Sequence, residues 1–252
     1  MGDRLAALLW DVDGTLAETE LDGHRPAFNA AFADLALPWH WDEPTYLRLL
    51  AVSGGRERIA AWGLEQIGQP LDPLLLDRLV RRKQAHYRAR VRDGAVPLRP
   101  GVAALIREAA AAGLTQAIVT TSGRAAVQDL LDGVLQPLAQ AFAFRVCGED
   151  VRAKKPDPEA YRLALERLAS PSGGVLVLED SRHGLAAARG AGLSCLITLS
   201  CLSRVEGLES YAGARAVVDG LAKEDGPVTV RRGPACPGPT VTLAYLQSLL
   251  PP

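Results

Sequence analysis

The chain has 252 residues, a formal net charge of −1 and 48% apolar residues. That apolar share supplies a core, so disorder is not expected, and the near-neutral charge leaves no electrostatic footprint for nucleic acid or an anionic membrane. Four cysteines (Cys147, Cys195, Cys201 and Cys236) form no Cys-x-x-Cys pair and are too sparse for a disulfide framework, which fits a reducing cytoplasm. No apolar stretch has the length of a membrane span, and Asp11 falls too close to the first residue for a signal peptide to be expected ahead of it.

The apolar run Leu5-Ala6-Ala7-Leu8-Leu9-Trp10 reads as a fully buried strand of a parallel sheet. It delivers Asp11-Val12-Asp13-Gly14-Thr15-Leu16 at its carboxyl end, where open α/β sheets bind their ligands. Alternate residues of a strand point the same way, so Asp11 and Asp13 can face one site. A polar stretch at 17–23 leads into a helix expected over 24–35, with an apolar stripe of Phe28, Ala31, Phe32 and Leu35. After a turn at 38–42, further helices are predicted at 43–50, 56–67 and 72–91. The basic residues of the last one, Arg78, Arg81, Arg82, Lys83, Arg88 and Arg90, read as a solvated face. No strand pattern interrupts these roughly 75 residues, which form a helical block inserted after the first strand.

A Pro- and Gly-rich linker at 93–101 leads back to an alternating pattern. Helices are predicted at 102–112, 124–131, 158–168 and 184–190, and strands at 115–120, 142–146, 175–178 and 195–199, with an edge strand at 216–218. Repeated strand–helix units imply an α/β fold with a doubly wound parallel sheet. The segment 223–239 reads as a loop and 240–250 as a closing helix.

Three further strand ends carry chemistry. Thr120-Thr121-Ser122-Gly123 sets hydroxyls and free N–H groups ahead of a helix, a ready anion site. Lys154-Lys155-Pro156-Asp157-Pro158 holds a cation on a rigid turn. Glu179-Asp180-Ser181 places a second carboxylate pair after a buried run, and Asp180 with Asp11 suits a hard cation such as Mg2+. Acid pair, hydroxyl, lysine and acid pair, each after a strand, closely resemble the haloacid dehalogenase (HAD) superfamily of phosphohydrolases.

The resemblance implies a Rossmann-like core formed by residues 1–17 and 97–252, with a helical C1 cap at 18–96. The stretch beyond about 223 has no counterpart in that pattern. It implies Asp11 as nucleophile, Asp13 as general acid/base, Thr120, Thr121 and Lys155 as phosphate binders, and Asp11, Asp13, Glu179 and Asp180 around Mg2+. The chemistry needs such a set. A phosphate monoester repels an anionic nucleophile unless cations offset the charge, and the leaving alkoxide needs a proton.

Within the cap, Glu18-Thr19-Glu20, His24-Arg25, Trp39-x-Trp41, Tyr46 and Ser53-Gly54-Gly55-Arg56-Glu57-Arg58-Ile59 resemble the CbbY branch of that superfamily. This implies a sugar-phosphate substrate, in particular xylulose 1,5-bisphosphate, with Glu18, His24, Arg25, Tyr46, Gly54, Gly55 and Arg56 lining its site. Arg56 is expected to clamp the second phosphate, although as a bare motif Gly54-Gly55 reads as a helix separator and Arg56 as a solvated residue. The expected protein is a cytoplasmic monomer acting on a small sugar phosphate, with no nucleic-acid or membrane partner. β-Phosphoglucomutase shares this cap and all four motifs, so transfer back to the sugar is the alternative reaction. A non-catalytic sugar-phosphate sensor would have no use for the nucleophile.

Overall fold

The computed structural model describes residues 4–52, 54–168, 172–201 and 206–251. Its centre is β1 (Ala7–Trp10), which lies between β2 (Thr115–Val119) and β4 (Val175–Glu179). The sheet continues through β3 (Phe142–Val146) on one side and through β5 (Ser194–Thr198), β6 (Ala216–Val218) and β7 (Val230–Arg232) on the other, in the order β3-β2-β1-β4-β5-β6-β7. All pairs are parallel except β6 with β7.

Alternation along the strands explains why β1 has no polar face. Leu8 and Trp10 point into one core with Ile118, Leu176, Leu178 and Leu196, while Ala7 and Leu9 join Ala117, Val119, Val175 and Val177 in a second core on the other face. Helices α5 (Val102–Ala111) and α6 (Arg124–Asp132) cover the first face, and α7 (Glu159–Leu168) and α8 (Arg182–Gly190) the second. The buried Trp10 indole donates to Gln116 at 3.1 Å, and the Gln116 amide donates to the Ile106 carbonyl at 3.0 Å, so this polar pair in the core is satisfied.

The predicted elements are present with ends shifted by one or two residues. The segment 223–239 differs from expectation, because it contains β7, which extends the sheet antiparallel beyond β6. Three residues among Gly and Pro are too few to show a period of two. The closing helix α9 (Leu243–Ser248) is shorter than expected but anchored: Tyr245, Leu246 and Leu249 enter the first core, and the Gln247 side chain accepts from the Leu5 N–H at 2.7 Å.

Between β1 and β2 the chain makes a helical insert: a single π-helical turn (Glu20–His24), α1 (Arg25–Asp34), α2 (Glu43–Leu49), α3 (Gly55–Ile67) and α4 (Pro73–Arg92). It has its own core of Phe28, Phe32, Trp41, Tyr46, Leu49, Ile59 and Leu79. Asn29 brackets Trp41, donating to its carbonyl at 2.9 Å and accepting from its N–H at 2.7 Å. Asp42 and Asp72 cap α2 and α4 by accepting from Thr45 and Leu75 N–H groups, each at 2.9 Å. The two linkers run side by side, Ala17 bridging antiparallel to Leu98. Farther along, Asp129 of α6 accepts from Gln84 and Arg88 of α4 at 2.9 and 2.7 Å, which docks α4 on the sheet layer.

Candidate active site

The loops after β1 and β4 are adjacent because their strands pair in register, Trp10 against Leu178. Asp11 leaves β1 with its N–H bonded to the Leu178 carbonyl, which places its carboxylate beside Glu179 and Asp180. Gly14 has φ +77°, and a Cβ there would stand 2.1 Å from Asp180 Oδ2, so only glycine lets these loops approach. Lys155 reaches in from the turn before α7. Its ammonium donates to Asp11 Oδ1 at 2.8 Å, to Glu179 Oε1 at 2.6 Å and to the Val119 carbonyl at 2.7 Å. The Tyr161 hydroxyl adds a bond to Glu179 at 2.8 Å.

Burial, followed by the nearby Glu179 charge, pushes the Asp11 carboxyl well above the usual range, with Lys155 opposing. Asp180 is pushed up by burial and then by Asp11 and Glu179. Burial works against the Lys155 ammonium, but Asp11 and Glu179 outweigh it and hold the lysine above its ordinary value. This cluster is short of positive charge. Asp11, Glu179 and Asp180 offer carboxylate oxygens within 4.8 Å of one another, all buried. Glu179 is already engaged by Lys155 and Tyr161, whereas Asp11 and Asp180 each give one oxygen to the protein, to Lys155 and Ser200. Two converging carboxylates with raised affinity for protons suit a hard divalent cation, so the donor set fits Mg2+ through Asp11 and Asp180. Glu179, expected among the ligands, lies in the same cluster and also accepts from Lys155.

Asp13, also expected at the metal, is turned toward the insert. Its Oδ1 accepts from the Thr19 hydroxyl and lies 3.1 Å from His24 Nε2, and its Oδ2 accepts from the Ser122 hydroxyl. Burial alone would raise this carboxyl, but the hydrogen bond from His24, with those from Ser122 and Thr19, holds it below the carboxylate range. In this arrangement Asp13 is a proton acceptor.

Behind His24, Lys83 Nζ lies 2.9 Å from Nδ1, and its ammonium also sits over the rings of Phe28 and Tyr87. An ammonium there makes Nδ1 the acceptor and leaves Nε2–H to donate to Asp13. Lys83, expected on a solvated face, is instead half-buried: α4 places it on the stripe of Leu76, Leu79, Val80 and Tyr87. Burial pushes it down to about 8, against the pull of Glu20 and Asp13. Turnover is therefore expected to fall as pH rises through about 8, and Lys83→Met to flatten that limb in a kcat–pH profile. The same depression costs stability at neutral pH, where the unfolded chain holds the proton more firmly; the cost fades as pH climbs from about 8 toward the unfolded value of ~10.4.

Two adjoining cavities open between the insert and the strand ends. One of about 260 Å3 is lined by Asp11, Asp13, Lys155, Thr121, Asp180 and, from the insert, Glu20, Gly54 and Arg58. The other, about 530 Å3, includes His24, Gly55, Lys83 and Ser122. Between them Glu57 of α3 pairs with Lys154 at 2.6 Å across the gap.

On the insert side, the residues that border the cavities coincide only in part with those expected to line the site. Arg58 is 6% exposed and lines both cavities. It donates to the Leu49 carbonyl at 3.2 Å and to the Tyr46 hydroxyl at 3.1 Å, 3.9 Å from Glu20. Arg56 borders the larger cavity, but its guanidinium pairs with Asp77 at 2.6 Å on the surface, with nearly half its side chain exposed. Glu18, expected in the lining, instead pairs with Arg99 at 2.7 Å beside the linkers, and it is Glu20 that lines both cavities. Tyr46 stands behind Glu20, to which its hydroxyl donates. Arg25 lines neither cavity. Thr120 is fully buried and accepts from the Ser122 N–H at 3.0 Å, while Thr121 lines both cavities. Gly54 begins α3 with φ +94°, and a Cβ there would meet Glu57 at 2.2 Å. Ser53 lies outside the described residues.

Buried carboxylates and a lysine gather at the ends of a parallel sheet beneath a helical insert, an arrangement of the α/β hydrolytic enzymes. Residues 5–192 match the haloacid dehalogenase-like hydrolase family. The chain belongs to that family and is an enzyme of its phosphatase class. It is 42% identical to the protein CbbY of Cereibacter sphaeroides over 88% of this chain and 95% of that protein. A crystal structure of mutant CbbY from Rhodobacter sphaeroides in complex with xylulose 1,5-bisphosphate is 41% identical, with a TM-score of 0.79 over 86% of this chain and 94% of that one. A phosphoglycolate phosphatase from Rhodospirillum rubrum is 31% identical over 86% of this chain and 88% of that protein.

Proposed function

We propose that this chain is a Mg2+-dependent sugar-phosphate phosphatase that works through an aspartyl-phosphate, with a pentulose bisphosphate such as xylulose 1,5-bisphosphate as its substrate. The observation that carries this reading is that one cavity joins Asp11 and Lys155 at the sheet to Gly54 and Arg58 of the insert. A sugar with a phosphate at each end calls for such a pair of cation-bearing poles.

The residues divide the work. Asp11 attacks phosphorus while Lys155 offsets charge on the transferring oxygens, and Thr121 with neighbouring N–H groups fixes their geometry. For the first step Asp13, ionised in the arrangement described above, must take up a proton as substrate binds, and it gives that proton to the departing alkoxide. It then takes one from the water that attacks the aspartyl-phosphate, releasing phosphate and restoring Asp11. Mg2+, when bound, neutralises the carboxylates and phosphate so that anion can approach anion. The helical insert acts as the cap. Glu20 offers an acceptor for sugar hydroxyls, and Arg58 offers N–H groups to the second phosphate. The four cysteines are free thiols, which suits a reducing cytoplasm, and no described helix is long and apolar enough to cross a membrane.

The test is phosphate release from a panel of sugar mono- and bisphosphates, with phosphoglycolate and β-glucose 1-phosphate included. Xylulose 1,5-bisphosphate is expected to give the highest kcat/KM. Conversion of β-glucose 1-phosphate to the 6-phosphate without net phosphate release would identify a mutase instead. Arg58→Ala is expected to cost on the order of tenfold or more in kcat/KM on the bisphosphate, and Arg58→Lys to restore part of it, since an ammonium lacks the planar fork. Aryl phosphates, which do not reach the cap, are expected to be far less affected; equal losses on both would make Arg58 a structural residue of the cap.

A further inference from the structure

Arg99, on the linker that returns from the insert, takes no part in the steps above, yet its guanidinium is almost wholly buried and fully engaged. Its side chain is 10% exposed. Nη1 donates to the Gly14 carbonyl, to Thr198 Oγ1 at 3.1 Å and to the Thr198 carbonyl at 3.3 Å, and Nη2 donates to the Leu199 carbonyl. Nε faces Glu18 at 2.7 Å. These partners belong to three separate segments. Gly14 follows the aspartate pair of β1. Thr198 and Leu199 end β5 and precede Ser200, whose hydroxyl donates to Asp180 Oδ2. Glu18 begins the insert, where its N–H also meets the Pro97 carbonyl and the Arg99 N–H meets the Leu16 carbonyl.

No backbone ladder joins the loop after β1 to the loop after β5, because β4 lies between their strands. The guanidinium does so, since its planar fork can donate in several fixed directions at once. We propose that Arg99 is a positioning residue for the cation site. It holds the β5 loop, and through Ser200 the Asp180 carboxylate, in register with the loop that carries Asp11, and through Glu18 it ties that register to the cap linker. The inference rests on the proposed Mg2+ site and adds to it a residue that touches neither metal nor substrate.

The test is direct Mn2+ binding to the substrate-free protein, followed by electron paramagnetic resonance of the free ion and by calorimetry. Outer residues that orient metal ligands are typically worth about 10–100-fold in metal affinity. Arg99→Lys, which keeps the charge and loses the fork, is expected to raise the Mn2+ Kd about tenfold. Ser200→Ala is expected to raise it in the same direction. The double variant is expected to bind little worse than the weaker single variant, because both substitutions cut one chain of contacts. Glu18→Gln is expected to leave the Kd within about twofold of wild type, as Nε touches only the cap side. Wild-type Mn2+ affinity in Arg99→Lys, or losses that multiply in full in the double variant, overturns the proposal and leaves Arg99 a structural staple. If Arg99→Lys does not fold, Ser200→Ala decides: an unchanged Kd overturns the proposal and a raised one supports it. A wild-type protein that binds no Mn2+ overturns the cation site itself, and the role of Arg99 with it.

Discussion

Asp11→Asn is expected to abolish turnover, by at least about 10³-fold, while leaving the fold intact. The amide matches the carboxylate in shape but cannot attack phosphorus, so no aspartyl-phosphate forms. The stability side of the prediction follows from the same cluster. A carboxylate whose proton affinity is raised by burial and by Glu179 costs stability when ionised, and the cost grows as pH rises through its usual range. Replacing it with a neutral amide relieves that repulsion, so the melting temperature without added metal is expected to be no lower than that of wild type. Excess EDTA is expected to silence the wild type, with recovery on adding Mg2+. Phosphate release by the Asn variant near the wild-type rate, or full activity in EDTA, would remove Asp11 and the cation from the mechanism.

Asp13→Asn is expected to cost about 10²–10⁴-fold on a sugar phosphate, the usual worth of a general acid/base. The loss should shrink on p-nitrophenyl phosphate, whose leaving group departs with little proton assistance. Asp13 is held as a proton acceptor by Thr19, His24 and Ser122, the state needed for activating water. Breakdown of the phosphorylated enzyme is therefore expected to slow along with the first step. Burst kinetics on the aryl substrate would show this as phosphoenzyme that accumulates in the variant. Equal losses on both substrates, without accumulation, would place the proton elsewhere.

The strand ends were legible because a buried parallel strand is an unbroken apolar run, and the residue after it can be read directly. That is how Asp11, Asp13 and Asp180 were located, whereas Lys155, nine residues beyond β3, was read from the Pro-bounded turn that holds it. Orientation at a loop was less legible. Thr120 and Thr121 differ by one position, and only the geometry of the exit from β2 turns the first inward. The choice between Arg56 and Arg58 did leave a trace. Two residues on a helix lie about 200° apart, and Arg58 stands one turn before Trp62, next to Ile59, on the side that packs into the insert. Lys83 likewise lies on the apolar stripe of α4, hidden within a run of arginines. Composition reads such a run as solvated, whereas periodicity separates its half-buried member. The role proposed for Arg99, which depends on distant segments, left no local signal, whereas Glu20 stood within the Glu18-Thr19-Glu20 pattern of the cap.

The place of β1 in the sheet has a consequence for how the polypeptide is assembled. The central strand leaves the ribosome well before its partners β2 and β4, which are made only after the whole insert and, for β4, two further strand–helix units. Pairings so far apart in sequence are slow to form, because loop closure must precede the reward. The insert offsets part of that separation in the folded chain: it has its own aromatic core, and Ala17 meets Leu98 at its neck, so the two ends of a long detour stand side by side. The segment that roofs the cleft is thus also the clasp between the halves that shelter a wholly apolar strand.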